Sequence, residues 1–346
     1  MTMLFMDGFD HYGTGSTSQT NMQSGPYSLT NGSVQTYAAR TGTCGVDGAF
    51  LNGGMVRRLD SPETRIGLGF AGYLSVPVDN GVGGNFRDFN NSVCLSWNML
   101  SSGGFAVYDG NGTQKAINTA PIISGGAWYH YEVFAYLAPI ASTGTGSFEL
   151  KVNGTTVLYI TGVNWLGQSG HDPRCDAVGW NCRGYSDDVF CYNCSGTYNN
   201  GFIGDRKVAT LFPNADTATA DWHLNGASTG YGCINDAAPD GDSTYLAALA
   251  TDPLPVLSGF GLDNLSSAIT SINAIQTYSY SKKTSTGPAT VATDLVSSGT
   301  TALGATVSPT VNYVYNTDMI ELDPNTGAPW TNAGVNAAQI KLRRIT

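Results

Sequence analysis

Between Trp128 and Tyr159 the chain spells out an antiparallel meander, and no other stretch restricts the fold as strongly. Trp128-Tyr129-His130-Tyr131-Glu132-Val133-Phe134-Ala135-Tyr136-Leu137 is an unbroken aromatic and β-branched run with the length of a strand inside a sheet. Phe148, Leu150 and Val152 then alternate with Glu149, Lys151 and Asn153, which predicts a strand with one face buried. Asn153-Gly154 tolerates the two positive φ angles of a type I′ turn, so the chain reverses there. Val157 and Tyr159 continue on the return strand.

The rest of the composition agrees with a β protein rich in turns. Four of the 26 acidic residues are Glu (Glu63, Glu132, Glu149, Glu321), and the others are Asp. Glu suits helix interiors, whereas Asp bonds to nearby backbone in turns and caps. The 44 glycines among 346 residues point the same way. Only 12% of residues are charged, but 41% are hydrophobic, enough to bury a core and exclude a disordered chain.

Further strands are expected at Met3–Asp7, Tyr27–Leu29, Ile66–Leu74, Val93–Leu100, Phe105–Tyr108, Lys115–Ile123 and Ser186–Phe190. Residues 13–36 otherwise read as surface loop. A polar stretch at Cys194–Gly201 marks a change in composition. It is followed by strand candidates at Lys207–Phe212, Tyr245–Leu249, Ile272–Ser281, Val291–Val296 and Val311–Ile320. Thr331 or Asn332 can cap a short helix ending near Ala338.

Net charge is −10, and the densest basic cluster is Lys341, Arg343 and Arg344, read as a solvated tail or a docking strap. No footprint for nucleic acid is present. Met1–Asp10 lacks the basic and apolar regions of a signal peptide, and no apolar run suits membrane insertion. The expectation is a protein made in the cytoplasm and released, if at all, by lysis.

Residues Trp128–Tyr136, Ser147–Val157 and Asp187-Asp188-Val189 together resemble a concanavalin A-like, laminin-G-like jelly roll. The resemblance implies that the Asp-Asp-Val strand returns beside the N-terminal strand. Leu4–Tyr12, Phe202–Val208 and Asp323–Thr331 resemble tailed-bacteriophage virion proteins that carry this domain. The implied fold class is all-β: a jelly-roll sandwich over 1–204, then a smaller β-sandwich-like domain over 205–346. The implied role is a structural or accessory virion protein, in a capsid decoration, collar, fibre or tail. Its partners would be itself, as a homo-oligomer and first of all a trimer, and other virion proteins. A glycan-binding adhesin that contacts the host surface is the alternative.

Seven cysteines leave at least one thiol unpaired within the chain. Cys175, Cys182, Cys191 and Cys194 cluster, and three readings stay open: buried thiols, disulfides formed after release, or a structural zinc. No cofactor motif occurs, although the loop carrying Asp236, Asp240 and Asp242 could hold calcium; an acidic turn is the simpler reading. Trp165, Trp180 and Trp222 lie in loop-like contexts and could form a sugar platform or anchor packing.

Catalysis has little support in sequence. His11, His130, His171 and His223 form no tight pair, and no nucleophile elbow or phosphate loop occurs. His171-Asp172 in a Gly-rich loop is the remaining candidate for a metal or catalytic role. Retaining glycosidases need two carboxylates about 5 Å apart. Four scattered Glu do not supply them, and adjacent Asp187 and Asp188 in a regular strand would point to opposite faces. The chain is expected not to be an enzyme, with a glycan depolymerase as the least favoured reading.

Overall fold

The computed structural model describes residues 2–29, 32–48, 54–138, 144–165 and 174–346. The chain divides into two compact units: Met1–Asp10 with Thr14–Val208, and His11–Gly13 with Ala209–Thr346. Residues 205–208 stay with the first unit, where Arg40 bonds Asp205 and the Val208 amide bonds Asp188.

In chain order the first unit contains β1 (Met3–Asp7), the helix α1 (Ser16–Gln23), β2 (Tyr27–Leu29), β3 (Ser33–Gln35), β4 (Gly45–Asp47), β5 (Met55–Glu63), β6 (Arg65–Leu74) and β7 (Val82–Arg87). It continues with β8 (Val93–Met99), β9 (Phe105–Asp109), β10 (Gln114–Asn118), β11 (Ala127–Tyr136), β12 (Gly146–Val152), β13 (Thr155–Val163), β14 (Cys175–Cys182) and β15 (Tyr185–Tyr192). One antiparallel sheet runs β13-β12-β11-β6-β15-β4-β3, with β1 paired to β15 beside that path. The other runs β10-β9-β8-β7-β14-β5-β2. This is the expected jelly-roll sandwich, and Val189 of the Asp-Asp-Val strand pairs with Asp7 of the N-terminal strand.

The two sheets bury aromatic side chains against each other. Phe70 of β6 lies 6.2 Å from Trp97 of β8, and Tyr131 of β11 lies 6.1 Å from Phe105 of β9, ring centre to ring centre. All four are fully buried, and burying a side chain of this size contributes roughly 1.5–3 kcal/mol. The strand read most strongly from sequence, β11, is an interior strand held between β12 and β6. Asn153 and Gly154 take φ of 47° and 79°, the left-handed pair that the turn between β12 and β13 requires.

Residues 13–36, expected as loop, contain α1. Nothing in its sequence announces it: STSQTNMQ has no apolar stripe, and only Ser18 and Met22 are buried. Tertiary contact holds it instead, since the Ser18 hydroxyl accepts the Val34 amide at 2.8 Å.

The second unit comprises β16 (Pro213–Ala220), β17 (His223–Asn225), β18 (Tyr245–Ala247), β19 (Val256–Leu262), β20 (Ile275–Ser281), β21 (Val291–Ser297), β22 (Thr300–Ala302), β23 (Val314–Ile320), the helix α2 (Asn332–Asn336) and β24 (Gln339–Arg344). A five-stranded sheet, β16-β19-β24-β21-β22, is accompanied by the ribbons β17-β18 and β20-β23. The form expected from sequence was a pair of facing sheets. Leu295, Trp330, Val335 and Ala338 form its core, and the Thr331 hydroxyl caps α2 by accepting the Gly334 amide at 3.0 Å.

Two expectations here are corrected. Lys207–Phe212 is not a strand; pairing starts at Pro213, opposite Leu262. Lys341, Arg343 and Arg344 are not a solvated tail but lie in β24, between β19 and β21. Arg343 bonds both carboxylate oxygens of buried Asp294, at 2.8 and 2.9 Å. Among the described residues no helix is long and apolar enough to cross a membrane.

Candidate functional site

Alternation along β11 sends Tyr131, Val133 and Ala135 into the core and leaves Trp128, His130, Glu132, Phe134 and Tyr136 on the outer face of the larger sheet. On neighbouring β6 the same face carries Arg65, Gly67, Gly69, Ala71 and Tyr73. The glycines have a steric reason. A Cβ at Gly67 would sit 2.1 Å from the Tyr192 ring, and one at Gly69 2.2 Å from the Phe190 ring. Both rings come from β15 and lie across β6 in place of side chains.

Two rows on this face bear chemistry. The first is aromatic and accessible. Trp128 is opposite Tyr73, Tyr73 is opposite Tyr185, and Tyr185 is opposite Asp47. Ring centres are 5.9 Å apart for Trp128–Tyr73 and 5.4 Å for the nearly parallel Tyr73–Tyr185 pair. Tyr37 stands edge-on to Tyr185 at 5.7 Å. It is 61% exposed, so this surface belongs to solvent and not to the core. Its hydroxyl donates to Asp47 Oδ2 at 2.7 Å, a bond that raises the phenol pKa because Asp47 favours the protonated donor.

The second row is ionic and buried. His130 is opposite Ala71, and Ala71 is opposite Asp187. The register then advances three residues on β15 for two on β6, because Asp188 adopts φ 54° and forms a bulge. The bulge overturns the expectation that Asp187 and Asp188 point to opposite faces. Both carboxylates meet the segment Arg40–Thr41. Asp187 Oδ2 accepts the amides of Arg40 (2.8 Å) and Thr41 (3.0 Å), and Asp188 Oδ1 accepts the Thr41 hydroxyl (2.5 Å). The Arg40 guanidinium bridges Asp188 (3.4 Å) and Asp205 (2.5 Å). Burial raises the pKa of both Asp187 and Asp188; Asp188's charge adds to the rise at Asp187, and hydrogen bonds oppose it. At Asp205 burial acts upward too, but Arg40 outweighs it and the pKa is lowered.

Residues 202–208 close this part of the face. Glu132, 1% exposed, accepts the amides of Ile203 (2.7 Å) and Gly204 (2.9 Å) and the Tyr192 hydroxyl (3.0 Å). Phe202 lies edge-on to Phe134, with the Lys151 ammonium 3.8 Å from its ring centre. Burial raises the Glu132 pKa against the pull of those three donors. The ionic row therefore holds chain to sheet, whereas the aromatic row presents partly exposed rings beside the exposed Tyr37.

His130 illustrates the cost of that closure. It is 1% exposed and stacks on Phe190, and neither ring nitrogen has a hydrogen-bond partner. Burial is the main cause that lowers its pKa to about 4; Arg40 and Arg206 add to this, and Asp205 opposes it. A depressed pKa contributes stability that is present above the unfolded value of 6.5 and lost as pH falls through about 4. His130→Leu, which removes two unsatisfied nitrogens at similar volume, is expected to raise stability at pH 7 by about 1 kcal/mol. It should also flatten the acid response between 6.5 and 4. Chemical unfolding at both ends of that window reads both effects.

The residues expected from sequence to form sites are dispersed or buried. Trp165 is 3% exposed, with its indole N–H donated to the Tyr136 carbonyl, and Trp180 is 1% exposed beside Phe5 and Tyr27. Neither presents a ring face for stacking on a sugar, because both side chains are buried. Trp222 of the second unit is half-buried and its indole nitrogen is covered. Asp236 and Asp240 share Thr244, while Asp242 turns to Lys282 and Tyr313, so the three do not converge on calcium. Among the described residues no three His, Cys, Asp or Glu gather as a metal would need. The disulfide reading is also corrected: Cys175, Cys182, Cys191 and Cys194 are all free thiols. The first pair lies on β14 and Cys191 on β15, in different sheets, and burial pushes Cys182 up to about 12. His171 and Asp172 lie outside the described residues.

No protein-family model and no curated protein sequence matches the chain. Among solved structures it is similar to the alginate lyase Aly36B, in a mutant bound to alginate tetrasaccharide: 17% identity, TM-score 0.37, covering 54% of this chain and 95% of that one. It is similar to an endo-β-1,4-glucuronan lyase from the fungus Trichoderma reesei at 14% identity, TM-score 0.33, with 47% and 88% covered. A carbohydrate-binding module from Bacillus subtilis follows at 10% identity, TM-score 0.29, with 46% and 88% covered. The expectation that the chain is not an enzyme is withdrawn here: two of these three structures are polysaccharide lyases, a likeness that speaks to the fold alone. That expectation rested on the scattered Glu residues, the lack of a tight His pair and the absence of a nucleophile elbow or phosphate loop.

Proposed function

We propose that the jelly-roll unit binds carbohydrate across the aromatic row of its larger sheet. One observation carries the reading: Trp128, Tyr73 and Tyr185 stand in register on three adjacent strands, with exposed Tyr37 beside them, on the face away from the core. Rings with an apolar body and a polar tip suit a ligand that has both apolar C–H faces and hydroxyls. The carboxylate of Asp47, next in the row, supplies an acceptor for a sugar hydroxyl.

Binding is tested on a glycan array with the intact chain, Trp128→Ala and Tyr185→Ala. Each substitution is expected to weaken binding at least tenfold, about 1.4 kcal/mol, with an unchanged circular dichroism spectrum. Variants that bind as tightly as the parent would move the site elsewhere. A parent that binds no glycan would remove the reading altogether. Loss of chain length in the same mixtures would add a catalytic role to binding.

The setting is proposed from sequence resemblance: a virion component of a tailed bacteriophage, oligomeric, meeting host-surface glycan from a capsid, collar, fibre or tail position. Quantitative mass spectrometry of purified particles tests it. Hundreds of copies would indicate capsid decoration, a few to tens a tail or fibre position, and absence from particles would end the virion reading.

A further inference from the structure

Resting on that reading, we infer that the ligand is an extended, uncharged glycan chain that crosses the strands, with about one sugar for each inter-strand interval. The row does not stop at its rings. Trp128 on β11, Tyr73 on β6, Tyr185 on β15, Asp47 on β4 and Ser33 on β3 are successive register partners, one residue per strand. Directly opposed residues of antiparallel strands project to the same face. Neighbouring strands lie about 4.8 Å apart, so the four intervals span roughly 19 Å. The ring centres along the row, 5.9 Å for Trp128–Tyr73 and 5.4 Å for Tyr73–Tyr185, follow that step closely. A straight line of contacts repeating at close to the length of a pyranose ring fits a linear chain. A single terminal sugar would touch only one or two of them.

Both ends of the row are defined. β3 ends the sheet path on one side. On the other, the last pairing of β12 with β11 is Val152 with Tyr131, so among the described residues no further strand pairs with β11 at Trp128 on that side. The row is also graded, from indole and phenol at one end to carboxylate and hydroxyl at the other, which gives the bound chain a direction. Among the described residues the ionised group bonded to these rings is Asp47, through Tyr37. Of the two arginines nearest the row in sequence, Arg40 is committed to Asp188 and Asp205, and Arg183, two residues before Tyr185, has its Nε buried without a partner among the described residues. A uronate in this row would face the like charge of Asp47, and an uncharged sugar meets no such penalty.

The experiment is calorimetry of the intact chain with oligomers of one to six units. The series are neutral β-linked glucose, mannose, galactose and N-acetylglucosamine, together with the matching uronates. The expected result is affinity that rises at least threefold per added unit in one neutral series, levels at about four units, and levels one unit earlier in Trp128→Ala. Uronates should bind at least tenfold more weakly at low salt, and Asp47→Asn should narrow that gap. A monosaccharide that binds as tightly as a tetramer, with binding still lost in Tyr185→Ala, would overturn the extended-chain inference and leave glycan binding in place. A preference for uronates that survives in Asp47→Asn would overturn the charge assignment. No binding in any series would overturn the underlying reading.

Discussion

Arg40→Ala is expected to cost about 3–5 kcal/mol of stability at neutral pH, the range for removing one partner of a buried ion pair. The side chain of Asp188 is 0% exposed, and the Arg40 guanidinium is its cation. Without it Asp188 retains the Thr41 hydroxyl and the Val208 amide, two dipoles in place of a charge, and Asp187 remains adjacent. The pH dependence gives the mechanism a signature. Asp187 and Asp188 both have raised pKa values, so the stability linked to their protonation is complete below the unfolded carboxylate value and declines as pH rises through the folded one. Removing Arg40 raises Asp188 further. The deficit of the variant should therefore be largest near pH 7 and shrink toward pH 4. Arg40→Lys should fall between, because an ammonium is a single point charge and cannot span Asp188 and Asp205 as the planar fork does. Urea unfolding at pH 7 and pH 4.5 checks this. A deficit below 0.5 kcal/mol, or one of equal size at both pH values, would show that the guanidinium is not compensating Asp188.

The same cluster shows where sequence reading succeeds and where it stops. The strand Ala127–Tyr136, the alternation of Gly146–Val152 and the Asn153-Gly154 reversal are local properties, set by β propensity and by which residues tolerate positive φ. They were legible, and so was the all-β class. Register is not local. Trp128, Tyr73, Tyr185 and Asp47 become neighbours only because four separate strands pair in one alignment, and nothing near Tyr73 or Tyr37 in the chain marks them as a surface pair. The loop-like look of Trp165 and Trp180 misled for the complementary reason. Their sequence surroundings are rich in Gly and Asn, yet both indoles turn inward and are buried. At Asp187-Asp188 the period-2 rule gave the wrong faces, because one residue in the left-handed region shifts the alternation. The one signal that could have shown it is the pair of adjacent carboxylates itself. Two acids in a buried strand need a common source of donors, and a bulge lets one segment, Arg40–Thr41, serve both.

Glu132→Ala is the second large effect, expected at about 3 kcal/mol or more, because a buried donor left without an acceptor costs about 1–3 kcal/mol. Three donors converge on this carboxylate: the amides of Ile203 and Gly204 and the Tyr192 hydroxyl. Relief from burying a charge offsets part of the loss, since burial already disfavours the ionised form. Glu132→Gln keeps the shape and one carbonyl acceptor but turns an N–H₂ group toward donors, so it should lose roughly half as much. The damage should also be local first. Residues 202–204 depend on Glu132 for their backbone bonds to the sheet, whereas β11 keeps its ladders to β6 and β12. Hydrogen exchange should therefore accelerate at Ile203 and Gly204 before it does at Tyr131 or Val133. Uniform acceleration across β11 would mean that Glu132 supports the sheet itself, and unchanged exchange at Ile203 and Gly204 would mean that those amides are held by something else. The local outcome has a consequence for ligand binding. The aromatic row shares β11 and β15 with this region but not its hydrogen bonds, so Glu132→Gln should keep glycan affinity within about twofold, less than 0.5 kcal/mol, while the segment over Glu132 opens.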